Sequence, residues 1–146
     1  MKQKIFLAKQ MLTDGGYTAV VINGDKSYVS RQRGVAPLLS WLEEKDNFKG
    51  AVAADKVVGK AAAYLYVLLG VSALYADVIS EHALTVLKKH GIEAEYHTLT
   101  PAIVNRTGDG FCPMESALVD IDTPHEALDA IKAKISELKK QQGELK

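Results

Sequence analysis

The segment Asn105-Arg106-Thr107-Gly108-Asp109-Gly110-Phe111-Cys112-Pro113-Met114-Glu115 carries the chain's single cysteine. Glycines precede Cys112 and a proline follows it, so the segment reads as a loop delivering the thiol to a helix start. Proline at the first helical position has no orphan N–H to lose, and Glu115 sits where a capping-box carboxylate would. At such an N-cap, free amides and the helix dipole favour the thiolate. Cys112 is therefore a candidate nucleophile and Glu115 a candidate acid–base group. The plainer role of a free cysteine is that of a small buried hydrophobe. Asn105 and Arg106 open the same loop as candidate contacts for an anionic ligand, unless Arg106 pairs with Asp109 and only closes the loop.

A second set, Asp55-Lys56-Val57-Val58-Gly59-Lys60-Ala61, falls at a strand-to-helix junction, where α/β sheets bind ligands. Lys60 would stand at a helix N-terminus beside free amides, an anion or phosphate cradle, with Lys56 and Gly59 as further ligand-binding positions. The phosphate-loop pattern fails, because Ala54 stands where its first glycine is needed and Ala61 where Ser or Thr is needed. Asp55 is close enough in sequence to pair with Lys56 or Lys60. A carboxylate there would orient a desolvated lysine acting as base or nucleophile, or would merely fix a turn. Ser80 and Glu81 begin a helix after a parallel strand and join the ligand edge, with solvated first-turn residues as the plainer account. His82, His90, His97 and His125 show no H-x-x-x-H spacing and no closeness to Cys112, so neither a metal site nor a zinc cofactor is expected.

The elements that must position these groups follow from periodicity and punctuation. Residues 1–12 carry Ile5, Phe6, Ala8 and Leu12 at helical spacing and break at Asp14-Gly15-Gly16. Tyr17 to Ile22 and Ser27 to Ser30 flank Asn23-Gly24, the signature of a tight hairpin. Pro37 opens a helix through Trp41 and Leu42. From Gly50 the chain alternates: strand 50–54, helix 60–69 ending at Gly70, strand 72–78, Ser80-capped helix 81–90 stopped by Gly91, and strand 93–99. Thr123-Pro124-His125-Glu126 reads as a capping box opening a last helix to about Lys140. Strands alternating with helices imply βαβ crossovers. The expected fold is thus an α/β three-layer α-β-α sandwich, its mixed sheet bearing an antiparallel edge hairpin. Residues 1–140 form the single expected domain and 141–146 a frayed tail.

Composition narrows the function. Eighteen basic and eighteen acidic residues give a formal net charge of zero, so no nucleic-acid surface is expected from bulk charge. With 47% hydrophobic and 25% charged residues the chain suits a soluble domain large enough for a substantial core. The charged first ten residues lack the apolar core of a signal peptide, and the apolar block 61–71 is too short to span a bilayer. One cysteine permits no intrachain disulfide. A cytoplasmic protein without membrane contact is the expectation.

The order helix, hairpin, helix, then repeated strand–helix resembles the cytidine-deaminase-like fold. Ala54 to Ala63, Val78-Ile79-Ser80-Glu81, and Asn105-Arg106 through Cys112-Pro113-Met114-Glu115 together resemble a prokaryotic family described as a domain of unknown function with that fold. The likeness covers about residues 1–120. Zinc deaminases need a His- or Cys-x-Glu at one helix start and a Pro-Cys-x-x-Cys at the next. This chain has Asp55-Lys56 to Lys60 at the first place and Val78-Ile79-Ser80-Glu81-His82 at the second. What the resemblance implies is therefore the scaffold and its pocket.

The resulting expectation is a zinc-independent enzyme acting on a small nucleotide-like or other anionic metabolite. Lys60 and the helix amides hold the anion, Cys112 is the nucleophile, and Asp55, Lys56 or Glu115 give acid–base help. The alternative is a non-catalytic ligand-binding or regulatory module on the same scaffold. The edge hairpin and the Trp41 helix also offer a surface for a homodimer.

Overall fold

The computed structural model describes residues 2–32, 34–44, 48–103, 115, 117, 118 and 120–144, except for the side chains of residues 2 and 138–144. Helix α1 (Lys2–Gly15) precedes the hairpin β1 (Ala19–Asn23) and β2 (Lys26–Ser30), followed by α2 (Ala36–Glu43). Then come β3 (Val52–Val58), α3 (Lys60–Leu69), β4 (Ala73–Ser80), α4 (Glu81–Lys89), β5 (Glu93–Thr100) and the last helix α5 (Pro124–Glu144). The five strands form one sheet in the order β2-β1-β3-β4-β5. β1 runs antiparallel to both of its neighbours, and β3, β4 and β5 run parallel. The fold is the α/β sandwich with a mixed sheet and an antiparallel edge hairpin that the alternation of elements predicts.

The hairpin turns where Asn23-Gly24 places it. Gly24 takes φ +62, the left-handed conformation that a side chain resists, and Asn23 pairs with Lys26 across the turn. Gly70, at φ +86, ends α3 in the same way.

Each sheet face has its own core. Ile5, Ala8 and Leu12 of α1 pack on Val20, Ile22, Val52, Ala54, Ala73 and Tyr75. On the opposite face α2, α3 and α4 pack against Val21, Ala53, Leu74 and Ile79, while α5 adds Ala127 and Ile131 to the same cluster. Ala61, Ala62 and Ala63 are all buried, and their small side chains let α3 lie close to the sheet. The Trp41 ring faces inward: it is 6% exposed and packs near the rings of Tyr28 and Phe48.

Several boundaries differ from the sequence reading, three of them by three residues or more. α1 continues to Gly15 and α5 to Glu144, each past its expected end. β3 continues through Asp55, Lys56 and Val57 to Val58, so Asp55 and Lys56 lie within the strand rather than on the turn after it. The physical reason is twofold: the parallel ladder with β4 continues to Val58 opposite Ile79, and the buried carboxyl finds a partner eleven residues on. The Tyr66 hydroxyl on α3 donates to Asp55 Oδ2 at 2.7 Å, satisfying a carboxyl that would otherwise be expelled from the sheet. Among the described residues no helix is long and apolar enough to cross a membrane.

Candidate functional site

Val58 of β3 lies opposite Ile79 of β4, and Ser80 opposite Thr100 of β5, so three strand ends share one edge. This carboxyl edge is where open α/β sheets hold ligands. The starts of α3 and α4 stand there side by side.

α3 begins without a capping side chain. Its N-cap is Gly59, in extended backbone at φ −97 and ψ −175. The missing acceptor comes from 55 residues later: Glu115 Oε1 accepts from the backbone N–H of Lys60 at 2.7 Å. A Cβ on Gly59 would overlap that carboxylate and press on Ile103. Gly59 is needed here for space, because its φ is one that any residue adopts. The Lys60 ammonium donates to the Leu118 carbonyl at 2.8 Å. Lys60 thus holds the 115–118 segment by both its amide and its side chain. The anion cradle expected at α3 contains the protein's own carboxylate.

That carboxylate is in an opposed electrostatic setting. Burial pushes the Glu115 carboxyl above its usual pKa, while the Lys60 amide and the nearby His82 and Lys60 cations pull it back. His82 is an exposed first-turn residue of α4, so both helix starts contribute to the environment of Glu115.

Ser80 is fully buried, and its Oγ accepts from the Ala83 N–H at 3.1 Å, the cap that the sequence predicts for α4. Its hydroxyl oxygen thereby serves the helix. Glu81 is exposed in the first turn of α4, where a negative charge suits the dipole.

Asp55 lies deeper, on β3 beneath α3. Besides the Tyr66 bond, its Oδ1 accepts from the Val57 N–H at 3.2 Å. Burial raises its pKa to about 7; the Tyr66 and backbone bonds lower it, and the Asp77 charge raises it further. Desolvation and the facing carboxyl likewise push the Tyr66 hydroxyl well above its usual range. The two form a proton-holding pair inside the core. Lys56, the next residue of β3, is exposed.

The structure therefore brings Gly59, Lys60 and Glu115 into contact, adds His82 by its charge, and sets Asp55 apart in the core. Cys112, Asn105 and Arg106 lie outside the described residues. Sequence reasoning missed two partners, Tyr66 for Asp55 and Leu118 for Lys60. Tyr66 could have been found from the helical register that turns it toward β3; Leu118 left no local signal.

A zinc ion does not fit these residues. The helix starts offer a glycine, a lysine, a serine, an exposed glutamate and a histidine, and the described residues contain no group of three or more His, Cys, Asp or Glu placed to hold a metal.

Comparison with known proteins agrees with the fold. The family model TM1506, Domain of unknown function (DUF1893), matches residues 7–135. The crystal structure of a DUF1893 family protein (TM1506) from Thermotoga maritima superposes with a TM-score of 0.85 at 26% identity, over 92% of this chain and 91% of that one. A diaminohydroxyphosphoribosylaminopyrimidine deaminase/5-amino-6-(5-phosphoribosylamino)uracil reductase from the same organism is more remote. Its TM-score is 0.41 at 16% identity, over 82% of this chain and 40% of that one. No curated protein matches the chain.

Proposed function

The chain belongs to the DUF1893 family of domains of unknown function, and within it we propose a zinc-independent enzyme for a small nucleotide-like or other anionic metabolite. The observation that carries this reading is the Glu115 carboxyl bonded to the Lys60 amide at 2.7 Å, with burial raising its pKa against the His82 and Lys60 cations. A carboxyl whose pKa burial raises, at a sheet's carboxyl edge, is suited to giving and taking a proton. The order of elements, a helix and hairpin followed by alternating helices and strands, supports a cytidine-deaminase-like scaffold for that site.

In this reading the Cys112 thiolate attacks an electrophilic carbon of the ligand, forming an S–C bond. Glu115 passes its proton to the departing group; water then attacks the same carbon, its proton returns to Glu115, and the S–C bond breaks to restore the thiolate. Lys60, Gly59 and the α3 amides receive the ligand, with Lys56, Ser80, Glu81, Asn105 and Arg106 as further candidate contacts. Asp55 acts from the core, holding β3 against α3 through Tyr66.

A second reading, a non-catalytic ligand-binding or regulatory module, is favoured by a different observation. The Lys60 ammonium bonds Leu118, Asp55 bonds Tyr66, and Glu115 caps α3, so three of the four candidate catalytic groups also hold the fold. Thermal-shift screening of nucleotides and phosphorylated metabolites, followed by product analysis of each hit, separates the two. The enzyme reading predicts a stabilising hit whose product vanishes in Cys112→Ala and Glu115→Gln. Stabilisation without product for every hit supports the binding module, and no hit at all contradicts both.

A further inference from the structure

Strand β5 is the longest exposed feature of the sheet. Among the described residues it pairs only with β4, and six of its eight residues are exposed. Tyr96 and Leu99 are 42% and 40% exposed. An open edge of this length presents a row of backbone donors and acceptors to another strand.

The backbone directions fix what can pair with it. Glu93 N–H donates to Ser72 O at 3.1 Å, so the odd-numbered residues of β5 turn their amides toward β4. Ala94, Tyr96 and Thr98 consequently point theirs outward. We propose that β5 is the dimerisation edge of this protein: it pairs antiparallel with β5 of a second copy about a twofold axis at Tyr96, extending the sheet across both subunits.

This register makes the strand complementary to itself. Tyr96 bonds Tyr96 of the second copy through both backbone groups, and Ala94 bonds Thr98. Between these pairs, Glu95 stands opposite His97 and His97 opposite Glu95, in the non-hydrogen-bonded positions where side chains approach closest. Moving the axis to Ala94 sets Glu93 against Glu95, moving it to Glu95 sets Glu95 against itself, and moving it to His97 sets His97 against itself. Only the Tyr96 axis among these puts the Glu95 carboxylate and the His97 imidazole opposite each other, as hydrogen-bonding partners, on both sides of the axis. The charges on β5 are those that would blunt an edge against foreign strands while admitting a second copy.

The face beside the strand extends the contact. Lys9 of α1 lies over the Tyr75 ring of β4, 4.8 Å from its centroid. Phe6, three residues earlier on the same flank of α1, is 67% exposed. In the paired sheet the two α1 helices lie on one face, their Phe6 flanks turned toward the β5–β5 strip. That adds apolar area to a strand pair, which alone is short of the ~1,200 Å² typical of stable interfaces.

Sedimentation equilibrium of the full chain across micromolar concentrations tests this. The wild type sediments as a dimer. Glu95→Lys weakens it on the order of tenfold or more, because both carboxylate–imidazole pairs across the axis are lost. The double swap Glu95→His with His97→Glu restores the carboxylate–imidazole pairs and returns association to near the wild-type value. Both substituted positions are exposed, and far-UV circular dichroism verifies that the variants fold. A wild type that stays monomeric overturns the proposal, as does a dimer that Glu95→Lys leaves unchanged or that the double swap fails to rescue.

Discussion

Glu115 caps helix α3 from a distance of 55 residues, its Oε1 lying 2.7 Å from the Lys60 backbone nitrogen. An N-cap is ordinarily supplied by the residue just before the helix. Here that residue is Gly59, whose lack of a side chain makes the room that Glu115 fills. The arrangement ties the carboxyl edge of the sheet to the segment carrying the candidate chemistry.

Truncating that cap has a defined cost. Glu115→Ala leaves the Lys60 amide without its acceptor and is expected to lower stability by about 1–2 kcal/mol. Glu115→Gln keeps a neutral acceptor and costs less than half of that. Urea midpoints at constant m-value measure both.

Gly59→Ala tests the close approach. The new Cβ displaces the Glu115 carboxylate, with an expected loss of about 1–3 kcal/mol. Adding Glu115→Ala removes the obstacle, so the double variant should be less destabilised than the sum of the singles. A double-mutant cycle giving no coupling would contradict the overlap.

Asp55 makes stability depend on pH. Its folded pKa of about 7 lies above the 3.8 of an unperturbed aspartate, so between those values the folded state holds more protons than the unfolded chain. Stability from this group is fully present below the unfolded pKa and is lost as pH rises through the folded one, by roughly 4 kcal/mol at most. Asp55→Asn keeps acceptor and size without the charge. It is expected to remove that slope and to be the more stable protein at pH 8, in denaturant titrations run from pH 5 to 8.

Ser80 is a local cap in a buried place. Ser80→Ala removes the acceptor of the Ala83 amide and should cost about 1 kcal/mol, whereas Glu81→Gln on the exposed first turn should cost a few tenths. Chemical denaturation of the two variants distinguishes them.

What could be read from sequence was what neighbours in sequence decide. Gly24 and Gly70 sit where a turn and a helix end need positive φ, and Ser80 sits three residues before the amide it caps. The order of strands and helices followed from the same punctuation. β3 was read too short because Asp55 and Lys56 look like turn residues until Tyr66 supplies a partner from α3. Lys60 was correctly placed at a helix start, but the carboxylate that meets it comes from Glu115, and chain separation hides such a pairing. The rings that pack near Trp41, Tyr28 and Phe48, come from other segments, so that cluster had no local signal.

The most direct measurement of the central claim is a carbon-13 NMR titration of the Glu115 carboxyl, run with and without a panel of nucleotides. A proton-handling carboxyl at a ligand site should titrate above the ordinary glutamate range, and at least one nucleotide should move its midpoint. An ordinary midpoint that no nucleotide shifts would contradict the assignment of Glu115 as the acid–base group.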